Sequence, residues 1–345
     1  MSLDPARGMA DLEDLGWWTR VPAEGGKGFR YLKVDGRALT SEAGLNRIAR
    51  LAIPPAWTDV HIAPTSTRKV QAWGRDAAGR KQYRYSEEHT RQQDGRKWER
   101  VLRYAHRVPE LREATNRDLK RTDPDRQKVM ATVVRLISRA FFRIGSERYA
   151  LENKTFGIAT LQKKHLTIDG SNLYFQYVGK GSKHNRRVVA ETPLVEIMEQ
   201  LLALRGRRLF QYVDEEGRVR PVTAPGVNNY IKSILDERYT SKDLRTFGGT
   251  VRAATILADL GPEPKAKAAE KNVVLTCKLV ASELGNTPAV CRKAYIHPTV
   301  LDAYVESGAT IDPLMRKEPR PVPKEEPVRY YPEEAALMRF LERFA

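Results

Sequence analysis

Cysteine is scarce in this chain, since only Cys277 and Cys291 occur among 345 residues. Two cysteines cannot form the disulfide framework of a small secreted protein, and no metal-ligand spacing surrounds either one. This usage is typical of a protein from the reducing cytoplasm. We expect both thiols to pack as small buried apolar side chains.

Long apolar segments and nucleotide or metal motifs are also missing. No window approaches a membrane span, and residues 1–14 contain acids where a signal peptide has an apolar core. There is no Gly-x-x-x-x-Gly-Lys-Ser/Thr phosphate loop, no His-Glu-x-x-His and no Cys-x-x-Cys. We therefore expect a soluble, cytoplasmic protein that works without a cofactor, a bound metal or ATP, and without a membrane partner.

Positive charge is in excess, because 60 lysines and arginines stand against 43 acidic residues, a net charge of +17. Such a protein is attracted to polyanions, since each neutralised phosphate releases condensed counterions. The charges also cluster, in Arg75–Lys81, Lys163–His165 and Lys180–Arg187. The clustering favours a nucleic-acid partner over a merely basic soluble protein.

The region up to residue 90 is predicted to be a β-rich domain, with one helix that begins at Ser41 and stops at Pro54-Pro55. Two hairpins are expected from alternating segments that flank turn residues: Phe29–Val34 with Arg37–Thr40 around Asp35-Gly36, and Lys69–Trp73 with Lys81–Tyr85 around Asp76–Gly79.

Residues 91–345 are predicted to form a larger, mainly helical domain that contains a small β-sheet. Its clearest helix should begin with Asp123-Pro124 as N-cap and N1 and close at Gly145, which leaves Arg143 in the last turn. Three strands are expected in 166–189, with Lys180 at the tip of a turn. Residues 317–332 are predicted to be a Pro-rich linker and 332–345 a terminal helix. The fold class is therefore α+β.

Arg245, Asn286 and Tyr295 follow one another in an order that suits attack by a phenol on a phosphodiester. The phenol's pKa of about 10 must be lowered by nearby positive charge. The charge of the pentavalent phosphate must be met by fixed donors, and the departing oxygen must be protonated. Arg143 and Arg245 suit the charge-stabilising task because a guanidinium is planar and bidentate. Lys180 suits the acid, and Asn286 can add a neutral hydrogen bond.

Each of these residues also has a purely structural interpretation. Arg143 could be a helix-end charge, Lys180 a solvated turn residue and Asn286 the N-cap of a helix that starts at Pro288. Tyr295 could be a packing residue, and Tyr304 is a rival phenol nearby. The order of the residues along the chain, more than any one of them, favours the chemistry.

Five motifs in one order resemble the type IB DNA topoisomerases, specifically the compact poxvirus-like enzymes found also in bacteria. They are Gly79-Arg80-Lys81-Gln82-Tyr83-Arg84-Tyr85, Phe142-Arg143-Ile144-Gly145, Tyr177-Val178-Gly179-Lys180, Lys242-Asp243-Leu244-Arg245-Thr246-Phe247, and Gly285-Asn286-Thr287-Pro288 through Tyr295. The resemblance implies that Tyr295 forms a 3′-phosphotyrosyl link and expels a 5′-hydroxyl. It also implies that Arg143 and Arg245 are transition-state clamps and that Lys180 is the general acid.

The resemblance further implies a monomer whose two domains close as a clamp around double-stranded DNA in the cytoplasm, at the nucleoid. Gln82, Tyr83 and Tyr85 are the expected groove or phosphate contacts, and Lys81 and Lys242 lie in the same motifs. Glutamine can hydrogen-bond adenine edges and tyrosine can reach phosphates, so the residue types agree.

Asn286 departs from the family pattern, since many relatives carry histidine nine residues before the nucleophile. Asparagine can donate to a phosphate oxygen but cannot become cationic, so we expect less dependence on pH between 6 and 7. Two alternatives remain open. A tyrosine recombinase or integrase uses nearly the same five roles on paired sites, and a non-catalytic DNA-binding protein would keep only the scaffold.

Overall fold

The computed structural model describes residues 16–235, 239–315 and 330–344. The chain divides into two compact units, Met1–Lys97 and Trp98–Ala345, and the division falls beyond the boundary predicted after residue 90. Residues 1–14 and most of the linker predicted at 317–332 lie outside the described ranges. No helix within those ranges has the length and apolarity needed to cross a membrane.

The first unit contains a five-stranded antiparallel sheet with the order β2-β1-β3-β4-β5. Its elements are β1 Trp18–Pro22, β2 Phe29–Leu32, α1 Glu42–Arg50, β3 Thr58–Ile62, β4 Val70–Arg75 and β5 Lys81–Tyr85. Helix α1 begins as predicted, because the Ser41 hydroxyl accepts a hydrogen bond from the Gly44 amide at 3.4 Å. One face of the sheet carries a core of Leu39, Ile48, Val60, Ile62 and Ala72.

The turn predicted at Asp35-Gly36 is confirmed, because the Lys33 amide donates to the Arg37 carbonyl and the Leu39 amide donates to the Tyr31 carbonyl, each at 2.8 Å. The strand predicted after it is wrong in length, since that segment forms a single bridge, Leu32 to Ala38, whereas β2 pairs along its whole length with β1. The segment after the turn is too short for a strand, because Leu39 enters the core and Ser41 already caps α1. The second hairpin is confirmed, with Trp73 opposite Tyr83 and Arg75 opposite Lys81.

The second unit is mainly helical. Its helices are α2 Glu87–His106 (which begins within the first unit), α3 Val108–Leu119, α4 Arg126–Ala140, α5 Glu147–Glu152, α6 Thr192–Ala203, α7 Ala224–Leu235, α8 Ser241–Leu260, α9 Ala266–Leu284, α10 Pro288–Ala294, α11 Pro298–Ser307, α12 Asp312–Met315 and α13 Pro332–Phe344. The predicted small sheet is confirmed as antiparallel β6 Leu166–Asp169, β7 Asn172–Gly179 and β8 Lys183–Ala190. A short hairpin joins β9 Gln211–Val213 to β10 Val219–Pro221.

Helix α4 runs through the core of this unit, and both of its predicted ends are wrong. It starts after Asp125, whose carboxylate accepts from the Lys128 amide at 2.9 Å, and it stops at Ala140 because Phe141 is left-handed with φ of 54°. The chain cannot continue as helix because the carbonyls of Arg143 and Ile144 accept hydrogen bonds from the segment at Ile158–Thr160. Arg143 therefore lies in an irregular segment, not in a last helical turn.

The terminal helix α13 packs on the same core. Leu337, Phe340 and Leu341 are buried, and Glu334 forms a partly buried ion pair with Arg112 of α3 at 3.0 Å. A segment with this much buried apolar surface is part of the folded unit.

Candidate active site

Arg245 lies inside α8 and is only 3% exposed. Its Nη2 donates to the carbonyl of Leu284 at 3.0 Å, and its Nη1 donates to the carbonyl of Phe141. Burial lowers the pKa of Arg245 to about 10, an effect that the neighbouring Tyr295 phenol opposes, so the group stays charged at neutral pH. The two carbonyls occupy only two of the five N–H donors of the guanidinium.

Tyr295 follows the last residue of α10 and sits against α8. Its amide donates to the Cys291 carbonyl at 2.9 Å, and its own carbonyl accepts from the Thr250 hydroxyl at 3.3 Å. The approach is close enough that a Cβ at Gly249 would lie 2.8 Å from the Tyr295 carbonyl oxygen. The Tyr295 ring centroid is 5.4 Å from the Arg245 guanidinium carbon. Helix α8 therefore supplies Arg245 and also the surface against which the backbone of Tyr295 packs.

Arg143 is held by a contact between two glycines. A Cβ on Gly145, which has φ of 86°, would lie 2.8 Å from the Cα of Gly157, and a Cβ on Gly157 would lie 2.6 Å from the Arg143 carbonyl oxygen. The Arg143 carbonyl accepts from the Ile158 amide at 2.8 Å. Its Nη2 donates to the Gly285 carbonyl at 2.8 Å and to Oδ1 of Asn286. No larger residue fits at either glycine without moving the arginine.

Asn286 is not an N-cap, because Thr287 has that role and accepts from the Val290 amide at 3.3 Å. The Asn286 amide oxygen faces Arg143, whereas its Nδ2 is buried and has no oxygen acceptor among the described residues. Burial raises the pKa of the adjacent Cys291 thiol, and a hydrogen bond from the Asn286 side chain acts in the opposite direction. Sulfur is a weak acceptor, so a phosphate oxygen would be the stronger partner for Nδ2.

Lys180 is exposed at the end of β7, where it opens a single turn that spans Lys180–Ser182. It lines a small cleft together with Arg143, Asn185, Arg187 and the uncharged residues Phe141, Phe156, Tyr177, Gly179 and Leu284. We call this the catalytic cleft. The structure thus places Arg245 beside Tyr295 and Arg143 beside Asn286, and the two arginines bind the consecutive carbonyls of Leu284 and Gly285. Lys180 lines the same cleft as Arg143.

Tyr304, the rival phenol, is fully buried. Its hydroxyl donates to the Gly261 carbonyl at 2.8 Å and accepts from Asn272 Nδ2 at 2.8 Å. Both hydrogen-bonding capacities are used within the core, so Tyr304 has a structural role.

The predicted DNA contacts of the first unit lie on strand β5, where side chains alternate between faces. Lys81, Tyr83 and Tyr85 share the face of Trp73: the Lys81 Nζ lies 4.2 Å from the Trp73 ring centroid, and the two tyrosine rings stack at 6.1 Å. Gln82 points to the other face, where its Nε2 donates to Asp76 at 2.9 Å. In the second unit Lys242 is exposed in the first turn of α8.

Sequence reasoning missed several residues that shape the site. Arg187 was visible only as part of a basic cluster, and Asn185 carried no signal. The glycine contacts of residues 145, 157 and 249 depend on segments far apart in the chain, so no local pattern marks them.

Comparisons with known proteins identify the family. The family model described as "Eukaryotic DNA topoisomerase I, catalytic core" matches residues 80–317, and "Bacterial DNA topoisomerase IB, N-terminal domain" matches residues 28–76. DNA topoisomerase 1B of Acanthamoeba polyphaga mimivirus is 32% identical over 286 residues, which cover 81% of this chain and 85% of the viral protein. DNA topoisomerase 1B of Vaccinia virus (strain Copenhagen) is 25% identical over 296 residues, 78% of this chain and 87% of that protein.

A solved structure of the XerH site-specific recombinase bound to palindromic difH substrate aligns at a TM-score of 0.36 and 14% identity, over 55% of this chain and 47% of that chain. This likeness is too distant to favour a recombinase. The catalytic-core model alone spans more than half of the chain. The chain therefore belongs to the type IB DNA topoisomerases, and it is an enzyme that relaxes supercoiled duplex DNA by transient cleavage of one strand.

Proposed function

We propose that Tyr295 is the nucleophile of this topoisomerase and that Arg143, Arg245, Asn286 and Lys180 complete its active site. The observation that carries the proposal is that Arg245 and Arg143 bind the consecutive carbonyls of Leu284 and Gly285 at the end of α9. Helix α8 presents Arg245 and seats Tyr295, while the end of α9 meets Arg143 beside Asn286.

The Tyr295 oxygen attacks the phosphorus, and the bond from phosphorus to the 5′ oxygen breaks. The phenol loses its proton to solvent, helped by the positive charge of Arg245 beside it. Lys180 donates a proton to the departing oxygen, which leaves as a 5′-hydroxyl, and regains one from solvent. The products are a 3′-phosphotyrosine and a free 5′ end, and the reverse steps reseal the strand.

Arg143 and Arg245 meet the charge that develops on the non-bridging phosphate oxygens. Both are held in place before substrate arrives, so little reorganisation is required in the transition state. Asn286 adds its Nδ2 as a neutral donor, fixed by the hydrogen bond that its oxygen accepts from Arg143.

Religation needs no ATP, because transesterification keeps the energy of the phosphodiester in the phosphotyrosine bond. While the strand is open, the duplex beyond the nick rotates and relieves supercoils of either sign. Lys81, Tyr83, Tyr85 and Gln82 of the first unit and Lys242 of the second contact the DNA in this proposal. The enzyme acts as a monomer in the cytoplasm, on nucleoid DNA.

The test is incubation with negatively supercoiled plasmid in EDTA without ATP, beside Tyr295→Phe and Tyr304→Phe. We expect relaxation and a covalent protein–DNA adduct from the wild type, neither from Tyr295→Phe, and both from any Tyr304→Phe protein that folds. An adduct formed by Tyr295→Phe would refute the assignment. Strand exchange between two sites would indicate a recombinase, and salt-sensitive binding without an adduct would indicate a non-catalytic protein.

A further inference from the structure

The catalytic cleft contains a second arginine, Arg187, to which the resemblance gives no role. It lies on β8 and is half-buried. Its Nη1 donates to the Arg186 carbonyl at 3.0 Å, and its Nη2 reaches Asn185 Oδ1 only at 3.5 Å. Its Nε is buried without an acceptor among the described residues. The guanidinium therefore has hydrogen-bonding capacity that these residues do not use.

Arg187 and Arg143 converge on the same point of the backbone. A Cβ built on Gly285 would lie 3.5 Å from Nη1 of Arg143, 3.5 Å from Nη2 of Arg187 and 3.0 Å from Oδ1 of Asn185. Burial lowers the pKa of Arg187, and the charge of Arg143 lowers it further. Two guanidinium groups this close repel each other unless an anion lies between or beside them.

The described residues supply no such anion. Among them, Arg143, Lys180 and Arg187 form no salt bridge, and no carboxylate lines the catalytic cleft. Glu283 is near enough to act on Arg187, but its carboxylate pairs with Arg252 at 2.8 Å. Three cations on one small cleft match a ligand with more than one negative charge, such as successive phosphates of a DNA strand.

We propose that Arg187, whose Nη1 is held by the Arg186 carbonyl, binds the phosphate that flanks the scissile phosphate on the strand being cleaved. The scissile phosphate has two non-bridging oxygens, and Arg143, Arg245 and Asn286 already provide donors for them. Arg187 and Arg143 then bracket two neighbouring phosphates and fix the register of the strand in front of Tyr295. This inference rests on the roles proposed above for Arg143 and Tyr295.

The experiment compares Arg187→Gln with Arg186→Gln, which removes the same charge from the same strand at an exposed position. Single-turnover cleavage is measured on a duplex with ordinary phosphates and on duplexes with one neutral methylphosphonate on either side of the scissile phosphate. On ordinary DNA we expect Arg187→Gln to slow cleavage by about ten- to a hundredfold and Arg186→Gln by less than about threefold. At one of the two flanking positions, the methylphosphonate should slow cleavage by the wild type. On that duplex the wild type and Arg187→Gln should then cleave at the same rate.

Equal cleavage by Arg187→Gln and the wild type on ordinary DNA would overturn the inference. So would a defect of constant size on every duplex, since a structural role does not depend on one phosphate. Arg187→Lys keeps the charge and should cleave faster than Arg187→Gln but more slowly than the wild type. If Arg187→Gln does not fold, Arg187→Lys replaces it in the same comparison. Failure of the wild type to form an adduct at Tyr295 would refute the proposed function instead, so the two failures are distinguishable.

Discussion

The two sides of the proposed active site are built in opposite ways. On one side Arg245 is 3% exposed within a helix, and the Tyr295 backbone is fixed to the same helix through Thr250. On the other side Lys180 is exposed, on a turn in which Gly181 and Ser182 both have positive φ, of 71° and 56°. We call these the buried side and the exposed side.

The difference corresponds to what each side must do in the proposed reaction. A donor that stabilises developing charge is effective only if its position is fixed before the reaction, which burial in a helix ensures. A general acid must reach a leaving oxygen and regain its proton from water, which an exposed turn permits. On the exposed side, we therefore expect cleavage to slow most when a substitution removes the reacting group itself. On the buried side, a substitution that only displaces a group should be enough to slow cleavage.

The largest effect is expected on the exposed side, from Lys180→Ala. Cleavage should slow by about 10²–10⁴-fold, because the 5′ oxygen would leave unprotonated. A substrate with sulfur at that bridging position has a leaving group that needs no acid, so on it the variant should come within about tenfold of the wild type. Lys183→Ala, on the same hairpin, is the control. A deficit unchanged by sulfur would show that Lys180 is not the acid.

On the buried side Arg245→Lys should slow cleavage by about 10²–10³-fold although it keeps the charge. Lysine cannot reproduce the fork that reaches the Leu284 and Phe141 carbonyls together, so the cation would lose its fixed position. Single-turnover kinetics and thermal unfolding, measured together, separate chemistry from stability. A rate within threefold of the wild type would mean that position matters less here than charge.

Gly249→Ala tests displacement alone. Alanine normally favours a helix over glycine by about 1 kcal/mol, but here its Cβ would meet the Tyr295 carbonyl at 2.8 Å. We expect a loss of about 1–3 kcal/mol in the free energy of unfolding and a roughly hundredfold slower cleavage. Gly95→Ala, in α2 with open space around it, should be neutral or stabilising. Similar behaviour of both variants would refute the close-approach argument.

The smallest effect is expected from Asn286→His, which alters one donor. An imidazole titrates near pH 6.5, and the charge of Arg143 would lower that value. The ratio of variant to wild-type cleavage should rise several-fold as pH falls from 8 to 5.5. Arg245, whose pKa is about 10, does not titrate in this range. A ratio that stays constant with pH would remove the basis for treating Asn286 as a neutral substitute.

The elements that the sequence predicted well are those with local signals. The cap of α1, the β4–β5 hairpin and the three strands around Lys180 each follow from turn residues and periodicity within a few positions. The end of α4 could not be predicted in this way. Gly145 looked like a helix terminator, but its positive φ serves a contact with Gly157, twelve residues later and after another helix.

The chemistry of the candidate site was predictable in its residue types but not in its geometry. The order of Arg143, Lys180, Arg245, Asn286 and Tyr295 marked these residues, because the reaction demands those groups. Sequence could not show that Asn286 turns its oxygen to Arg143, or that Gln82 donates to Asp76 at the start of the hairpin turn. Such facts depend on tertiary packing.

Helix α8 fixes the spacing between Arg245 and Gly249, the residue against which the Tyr295 backbone packs. Arg245 and Gly249 are separated by about one helical turn, so a single residue inserted between them would rotate one relative to the other by about 100°. Insertions there should abolish activity, whereas the exposed turn between β9 and β10 should accept added residues. A peptide tag or fluorescent reporter placed in that turn would therefore follow the enzyme on DNA without altering its chemistry.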